Sequence, residues 1–178
     1  MHIDKHGVAN HTRFIASPHS DFRAHEDNIR LIVIHNISLP PGQYGGNGII
    51  ELFTGKLDAH AHPYYTDIAH LRVSSHFLIR RDGEIIQFVP CSKRAWHAGV
   101  SNWQGWDRCN DFSVGIELEG DDHTPFTDAQ YNHLNVLLHA LQVRYPNTAL
   151  TGHSDIAAGR KTDPGPYFDW IRATLALP

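Results

Sequence analysis

Cysteine occurs twice and methionine once in 178 residues. Two thiols, Cys91 and Cys109, cannot build a disulfide scaffold or a cysteine-rich zinc site, and neither has a nucleophile signature beside it. They read as structural thiols. No apolar run approaches the roughly 18 residues that a membrane span needs, and the opening MHIDKHGVAN lacks the basic-then-apolar layout of an export signal. The expectation is a cytoplasmic protein with no membrane partner. Positive charge is also scarce: 15 Lys and Arg stand against 19 Asp and Glu, dispersed along the chain, so the basic footprint of a nucleic-acid binder is missing. His-Glu-x-x-His is absent, which excludes a zincin helix, and Gly-x-Ser-x-Gly is absent, which leaves covalent nucleophile chemistry without support. There is no repeat, low-complexity tract or linker, and a 41% apolar, 19% charged composition excludes disorder. Histidine alone is abundant. Fifteen are present, and protonating all of them would carry the formal charge from −4 to +11, so solubility and stability should change sharply below about pH 6.

The order of elements follows from periodicity. Residues 1–28 are polar and aperiodic. Ile29 to Ile34 is a short β-branched run that reads as a buried strand ending at His35. Residues 36–48 carry Pro40, Pro41 and four glycines and form a loop, followed by one helical turn at Ile49 to Phe53. Residues 54–75 show no period and read as a long irregular loop of the kind that often carries function. His76 to Arg81 and Glu84 to Val89 flank Asp82-Gly83, which suits a hairpin with a two-residue type I′ turn. Phe112 to Glu119 alternates as a strand, with Ser113, Gly115, Glu117 and Glu119 on its polar face. Thr127 and Gln130 match a capping box ahead of an amphipathic helix over about 128–144. Ala149 to Thr151 reads as a short strand, and a last helix fits Tyr167 to Leu175. One α/β (mixed α+β) domain over 1–178, its core about 15–175, with a central mixed sheet flanked by helices, is expected.

Polar groups fall on or after these strands: His35, Glu117 and His153, the last followed by Lys161 and Asp163 in a loop shaped by glycine and proline. Strand ends are where open α/β sheets place their sites, and zinc takes His nitrogen and carboxylate oxygen. Taken alone, each residue has a plainer reading. A strand-end histidine can be a hydrogen-bonded structural group, Glu117 a solvent-facing or ion-paired carboxylate, and Lys161 an exposed loop lysine. His153-Ser154-Asp155 has the spelling of a facial-triad pair, but no histidine follows it, so Asp155 reads as a decoy. His19-Ser20-Asp21 repeats the spelling and reads as a solvated turn.

Four motifs in order carry a family resemblance. The run from His35 to Gly42 (HNISLPPG), Ala95 to Gly99 (AWHAG), Gly115 to Gly120 (GIELEG), and Gly152-His153 followed by Arg160 to Gly165 (RKTDPG) resemble the AmpD family. These are cytoplasmic 1,6-anhydro-N-acetylmuramyl-L-alanine amidases of the amidase-2 group, related to phage lysozyme of the T7 type and to peptidoglycan-recognition proteins. The resemblance implies an amidase-2 fold, a zinc ion held by His35, His153 and Asp163, and catalytic roles for Glu117 and Lys161. It also implies substrate contacts from Asn36, Tyr64, Arg72, Trp96 and Arg108. The implied substrate is an anhydro-muropeptide met in cytoplasmic peptidoglycan recycling, with no obligate protein partner. A non-catalytic recognition module of the same fold would be expected to lack a ligand, and a periplasmic amidase would need an export signal.

Overall fold

The computed structural model describes residues 1–26 and 28–174. Its strands and helices, in chain order, are β1 (Arg13–Phe14), β2 (Ser20–Phe22), β3 (Leu31–Ile37), α1 (Gly48–Phe53), β4 (Phe77–Ile79), β5 (Ile85–Gln87), β6 (Lys93–Ala95), β7 (Asn102–Trp103), β8 (Trp106–Asp107), β9 (Ser113–Glu119), α2 (Asp128–Arg144), β10 (Ala149–Gly152), α3 (His153–Ile156) and α4 (Trp170–Thr174). Six strands form one mixed sheet in the order β1-β5-β4-β9-β3-β10. Only β4 and β5 run antiparallel; the other neighbours are parallel. The expected mixed sheet with helices on its faces is what the chain forms.

The two faces of the sheet are covered differently. On one, Ile32, Ile34, Phe77, Ile79, Ile116 and Leu118 pack against Tyr131, Leu134, Leu137, Leu138 and Leu141 of α2. Those helical residues recur at three- and four-residue spacing, and burying each apolar side chain contributes about 1.5–3 kcal/mol. The helix starts where the sequence says: Thr127 accepts from the Gln130 amide N–H at 3.1 Å, and Gln130 accepts from the Thr127 N–H at 3.0 Å. On the other face the apolar cover is split in two. Leu78, Ile86 and Phe88 pack under α1 with Ile49, Leu52 and Phe53, while Leu31, Val33 and Ala98 pack with Cys109 and Ile156. Between these clusters the same face carries polar groups of β3 and β9. That strip is the floor of the site.

Four expectations need correction. β3 does not stop at His35 but runs to Ile37, so His35 lies inside a strand whose two edges are both paired. The polar face of β9 does not meet solvent; all seven residues of the strand are buried, because cover lies on both sides of the sheet. The hairpin exists, but its turn is not type I′. Gly83 (φ +92°) is left-handed while Asp82 is not, and the Gly83 N–H bonds Arg80 O and the Arg80 N–H bonds Glu84 O, each at 2.9 Å. This is a type I turn closed by a glycine bulge. The first 28 residues are not mere polar coil: Ile3 and Ala9 are buried, and β1 and β2 join sheets. The last helix spans Trp170–Thr174; the expected end at Leu175 lies outside the described residues.

Arg23, from that N-terminal stretch, is buried under the site. Its guanidinium donates to the carbonyl oxygens of Cys91, Asn110 and Ser113, tying three segments together. Desolvation pulls its pKa down to about 10. Beside it, His76 accepts the Gly115 N–H on Nδ1 at 3.0 Å, which leaves the proton on Nε2, 3.1 Å from Lys93 O and with Arg23 Nη2 crowded against it at 3.0 Å. Burial first, then the Arg23 charge, hold His76 well below the usual imidazole pKa. A histidine whose folded pKa is depressed contributes stability above its unfolded pKa and loses it as pH falls. Between pH 6.5 and 4 the metal-free protein should therefore lose unfolding free energy. The His76→Gln variant, which has no proton to gain, should show a shallower slope by up to about 1.4 kcal/mol per pH unit. Urea titrations across that range check this, and parallel slopes would contradict it.

Candidate functional site

Parallel register brings the first residues together. His35 of β3 is aligned with Glu117 of β9, and Gly152 of β10 is aligned with Ile34, so His153, one residue on, stands abreast of His35. In parallel strands aligned residues face the same way, about 4.8 Å apart. Asp163 arrives from the loop after α3, which is held to the sheet edge by the Ser154 N–H donating to Asp163 O at 2.9 Å. His35 Nδ1, His153 Nδ1 and Asp163 Oδ2 then lie 3.0, 2.9 and 3.0 Å from one another. His35 and His153 are buried and Asp163 is partly so. Three lone-pair atoms meeting at one point, with the outer nitrogens of both rings already bonded to protein at 2.9 and 3.1 Å, make an N,N,O donor set that could hold a metal ion.

Electrostatics mark the same group. Burial holds His35 down to about pKa 4, against the opposing pull of the Asp163 hydrogen bond. For Asp163, burial acts to raise the pKa, yet the His153 and His35 imidazoles beside it win and leave the carboxyl well below its usual range. Both shifts leave neutral imidazole and ionised carboxylate, the forms that bind metal.

Two carboxylates on β9 show how structure separates readings that the sequence leaves open. Glu119 is fully engaged: its oxygens accept the Gly45 N–H at 2.7 Å and the Arg81 N–H at 3.1 Å. Glu117 is buried, and among the described residues no hydrogen bond or ion pair ends on its carboxyl group. Burial first, then the Asp163 charge, push its pKa well above the usual carboxylate value, with Lys161 opposing. Such a carboxyl faces a cavity of about 400 Å³ that His35, His153, Asp163, Trp96, Tyr64 and Lys161 also line. Lys161 is exposed at its rim.

The remaining expected residues are placed unevenly. Asn36 lines the cavity, but Nδ2 donates to Asp122 Oδ1 at 2.7 Å and Pro164 O at 3.0 Å, so both amide hydrogens hold loops together. Tyr64 stands exposed on a 3₁₀ turn over Pro63–Asp67. Trp96 stacks on His19 at 6.1 Å, and the Arg72 guanidinium lies 5.9 Å from its ring. Arg108 is exposed, pairs with Asp111 at 3.2 Å and is not among the cavity's lining residues. Asp155 is no ligand: it caps Thr151 and the Gly152 N–H at 2.9 Å each. His19 and Asp21 are no solvated turn either. His19 is buried with Nδ1 3.1 Å from Val73 O, and Asp21 on β2 forms a forked pair with Arg94 at 2.6–2.7 Å. Cys91 and Cys109 are buried free thiols, and desolvation pushes Cys91 up to about 12, as inert structural thiols require. His97 has no role assigned from the sequence. It contacts His35 directly, and its only signal was its place in the Ala95 to Gly99 run.

Known proteins resemble the chain along most of its length. Residues 25–166 match the family described as N-acetylmuramoyl-L-alanine amidase (Amidase_2). Over 162 residues the chain is 62% identical to the 1,6-anhydro-N-acetylmuramyl-L-alanine amidase AmpD of Citrobacter freundii, covering 90% of this chain and 87% of that protein. A crystal structure of a selenomethionine derivative of AmpD superposes with a TM-score of 0.97 at 57% identity, with both chains covered in full. The amidase AmiD from Escherichia coli, solved with the substrate anhydro-N-acetylmuramic acid-L-Ala-D-γ-Glu-L-Lys, matches with a TM-score of 0.61 at 30% identity, over 84% of this chain and 57% of that one. The chain belongs to the N-acetylmuramoyl-L-alanine amidase family, in its AmpD group.

Proposed function

We propose that this protein is a zinc-dependent amidase that cleaves the amide between 1,6-anhydro-N-acetylmuramic acid and L-alanine of muropeptides, acting in cytoplasmic peptidoglycan recycling. The observation that carries the reading is the convergence of His35 Nδ1, His153 Nδ1 and Asp163 Oδ2 within 3.0 Å of one another beside an unpaired, buried Glu117. The high identity to AmpD over nearly the whole chain supports the substrate. So does the likeness to an amidase solved with an anhydro-muropeptide.

Bound by two neutral imidazoles and one carboxylate, a zinc ion supplies positive charge that acidifies water and polarises a carbonyl oxygen. The chain's own groups do the rest. Glu117 takes a proton from water as its oxygen adds to the lactyl carbonyl carbon, and returns that proton to the alanine nitrogen as the C–N bond breaks. Burial, which raises its pKa above the usual carboxylate value, helps it hold the proton between the two transfers. Lys161 places positive charge toward the oxyanion that forms on the carbonyl, a contribution of about 3–4 kcal/mol for a well-placed donor. Trp96 offers its face to the sugar, with Asn36 and Tyr64 along the same cavity. Arg72 and Arg108 take the carboxylates of the peptide, Arg108 exchanging Asp111 for the substrate.

Purified protein should contain about one zinc per chain, and chelation should abolish hydrolysis of an anhydro-muropeptide. His35→Ala and Asp163→Ala should lose both metal and activity, whereas Asp155→Ala should keep its zinc; elemental analysis beside the assay tests all three, and retained zinc in the first two would move the site elsewhere. Glu117→Gln should keep zinc while kcat falls at least about 10²-fold. Because folding raises the Glu117 pKa, its ionised form costs stability at pH values above the unfolded pKa and not below it. The metal-free Glu117→Gln protein should therefore be more stable than wild type at pH 7, with the difference fading towards pH 4. Denaturant midpoints at the two pH values show this, and a less stable variant at pH 7 would return Glu117 to a structural role. A cavity shaped around the compact anhydro ring should also reject a reducing sugar. Leaving polar groups unpaired costs about 1–3 kcal/mol each, or about 5- to 150-fold in kcat/KM. At least about a tenfold preference for the anhydro form is expected, weakened in Trp96→Ala. Equal rates on both sugars would indicate a general muramyl amidase.

A further inference from the structure

We propose that His97 is a positioning residue that fixes the tautomer of His35 and so presents His35 Nδ1 bare to the metal. The inference rests on the metal reading given above and goes beyond it. The two imidazoles of the donor set are supported in unlike ways. His153 Nε2 lies 3.1 Å from the carbonyl oxygen of Ala98, an atom that can only accept. That carbonyl puts the proton on Nε2 and leaves Nδ1 free without further help. His35 Nε2 instead lies 2.9 Å from His97 Nδ1, and an imidazole nitrogen can donate or accept. The proton between them is therefore decided by His97, whose own Nε2 lies 3.2 Å from Ser113 Oγ.

Two arrangements satisfy this chain, each with one proton per ring. In the first, His35 Nε2–H donates to His97 Nδ1 and His97 Nε2–H donates to Ser113 Oγ, which leaves His35 Nδ1 as a lone pair. In the second, Ser113 donates to His97 Nε2, His97 Nδ1–H donates to His35 Nε2, and His35 Nδ1–H donates to Asp163 Oδ2 at 2.9 Å. Passing from the second to the first releases the His35 Nδ1 proton to solvent and takes one up at His97 Nε2, so the proton count is unchanged. Only the first arrangement can bind a cation. His76 takes no part, because its Nδ1 is committed to the Gly115 N–H and its Nε2–H to Lys93 O.

The fold holds His97 to this task. Asn110 Oδ1 accepts the backbone N–H groups of His97 at 3.2 Å and Ala98 at 2.9 Å. The ring lies flat on β9 at Gly115, where an added Cβ would come within 2.6 Å of Cγ and 2.7 Å of Nδ1. No side chain fits under the ring, which accounts for a glycine in the middle of a central strand.

Zinc affinity measured by chelator competition on the full chain tests the proposal. His97→Phe, which keeps the ring but cannot accept, should bind zinc about 10- to 100-fold more weakly, the usual loss when the partner of a ligating histidine is removed. His97→Asn, whose Oδ1 can take the place of Nδ1, should recover most of that loss. Gly115→Ala should mimic His97→Phe although every polar group remains. Should the variants not fold, ¹⁵N imidazole spectra of the native zinc-loaded protein decide the matter: His35 and His97 are both expected to carry their proton on Nε2, with His97 Nδ1 bare. Unchanged affinity in folded His97→Phe, or a proton on His97 Nδ1 in the zinc-loaded protein, would overturn the proposal. Wild-type protein that binds no zinc would instead overturn the metal reading itself.

Discussion

Parallel pairing of β3 with β9 on one side and β10 on the other is the constraint from which the site follows. It sets His35 beside Glu117 and His153 beside His35, on one face and at one end of the sheet. Because side chains alternate with a period of two, a one-residue slip in either pairing would turn one of these groups to the opposite face. The register is fixed by apolar burial. Ile32, Ile34, Ile116 and Leu118 must meet α2, and that requirement aims the intervening residues at the site.

Placing polar groups inside a sheet covered on both faces is costly unless each is satisfied. Most are. Arg23 spreads its charge over three carbonyls, His76 is bonded at both nitrogens, and Glu119 holds the loop after β3 to the β4–β5 hairpin. At the cavity the pattern differs: among the described residues no hydrogen bond or ion pair ends on the Glu117 carboxyl, and three lone-pair atoms point at each other. The gap between the two apolar clusters on this face is where they gather.

Much of this was legible in the sequence, for physical reasons that also set the limit. The capping box and the stripe of α2 are local signals, and the helix starts and stops as they indicate. The hairpin was legible from Asp82-Gly83, but not its turn type, since dipeptide preference does not fix which residues take positive φ. β1, β2, β7 and β8, at two or three residues each, are too short to carry a period. Glu117 and Glu119 are indistinguishable by alternation, and only the tertiary partners of Glu119 separate them. His97 was hidden because its role depends on what lies across the sheet from it, 62 residues earlier in the chain. The motif resemblance names His35, His153 and Asp163 together, and these three residues do converge into a group that could hold a metal ion.

The central claim is that two imidazoles and one carboxylate, brought together by that register, hold the ion at which the amide is cleaved. X-ray absorption at the zinc edge of the loaded protein tests it most directly. The account predicts a four-coordinate shell with two imidazole nitrogens and light oxygen ligands at about 2.0–2.2 Å, which collapses in Asp163→Ala. A third imidazole in the shell, a sulfur scatterer near about 2.3 Å, or a spectrum unchanged by Asp163→Ala would contradict it.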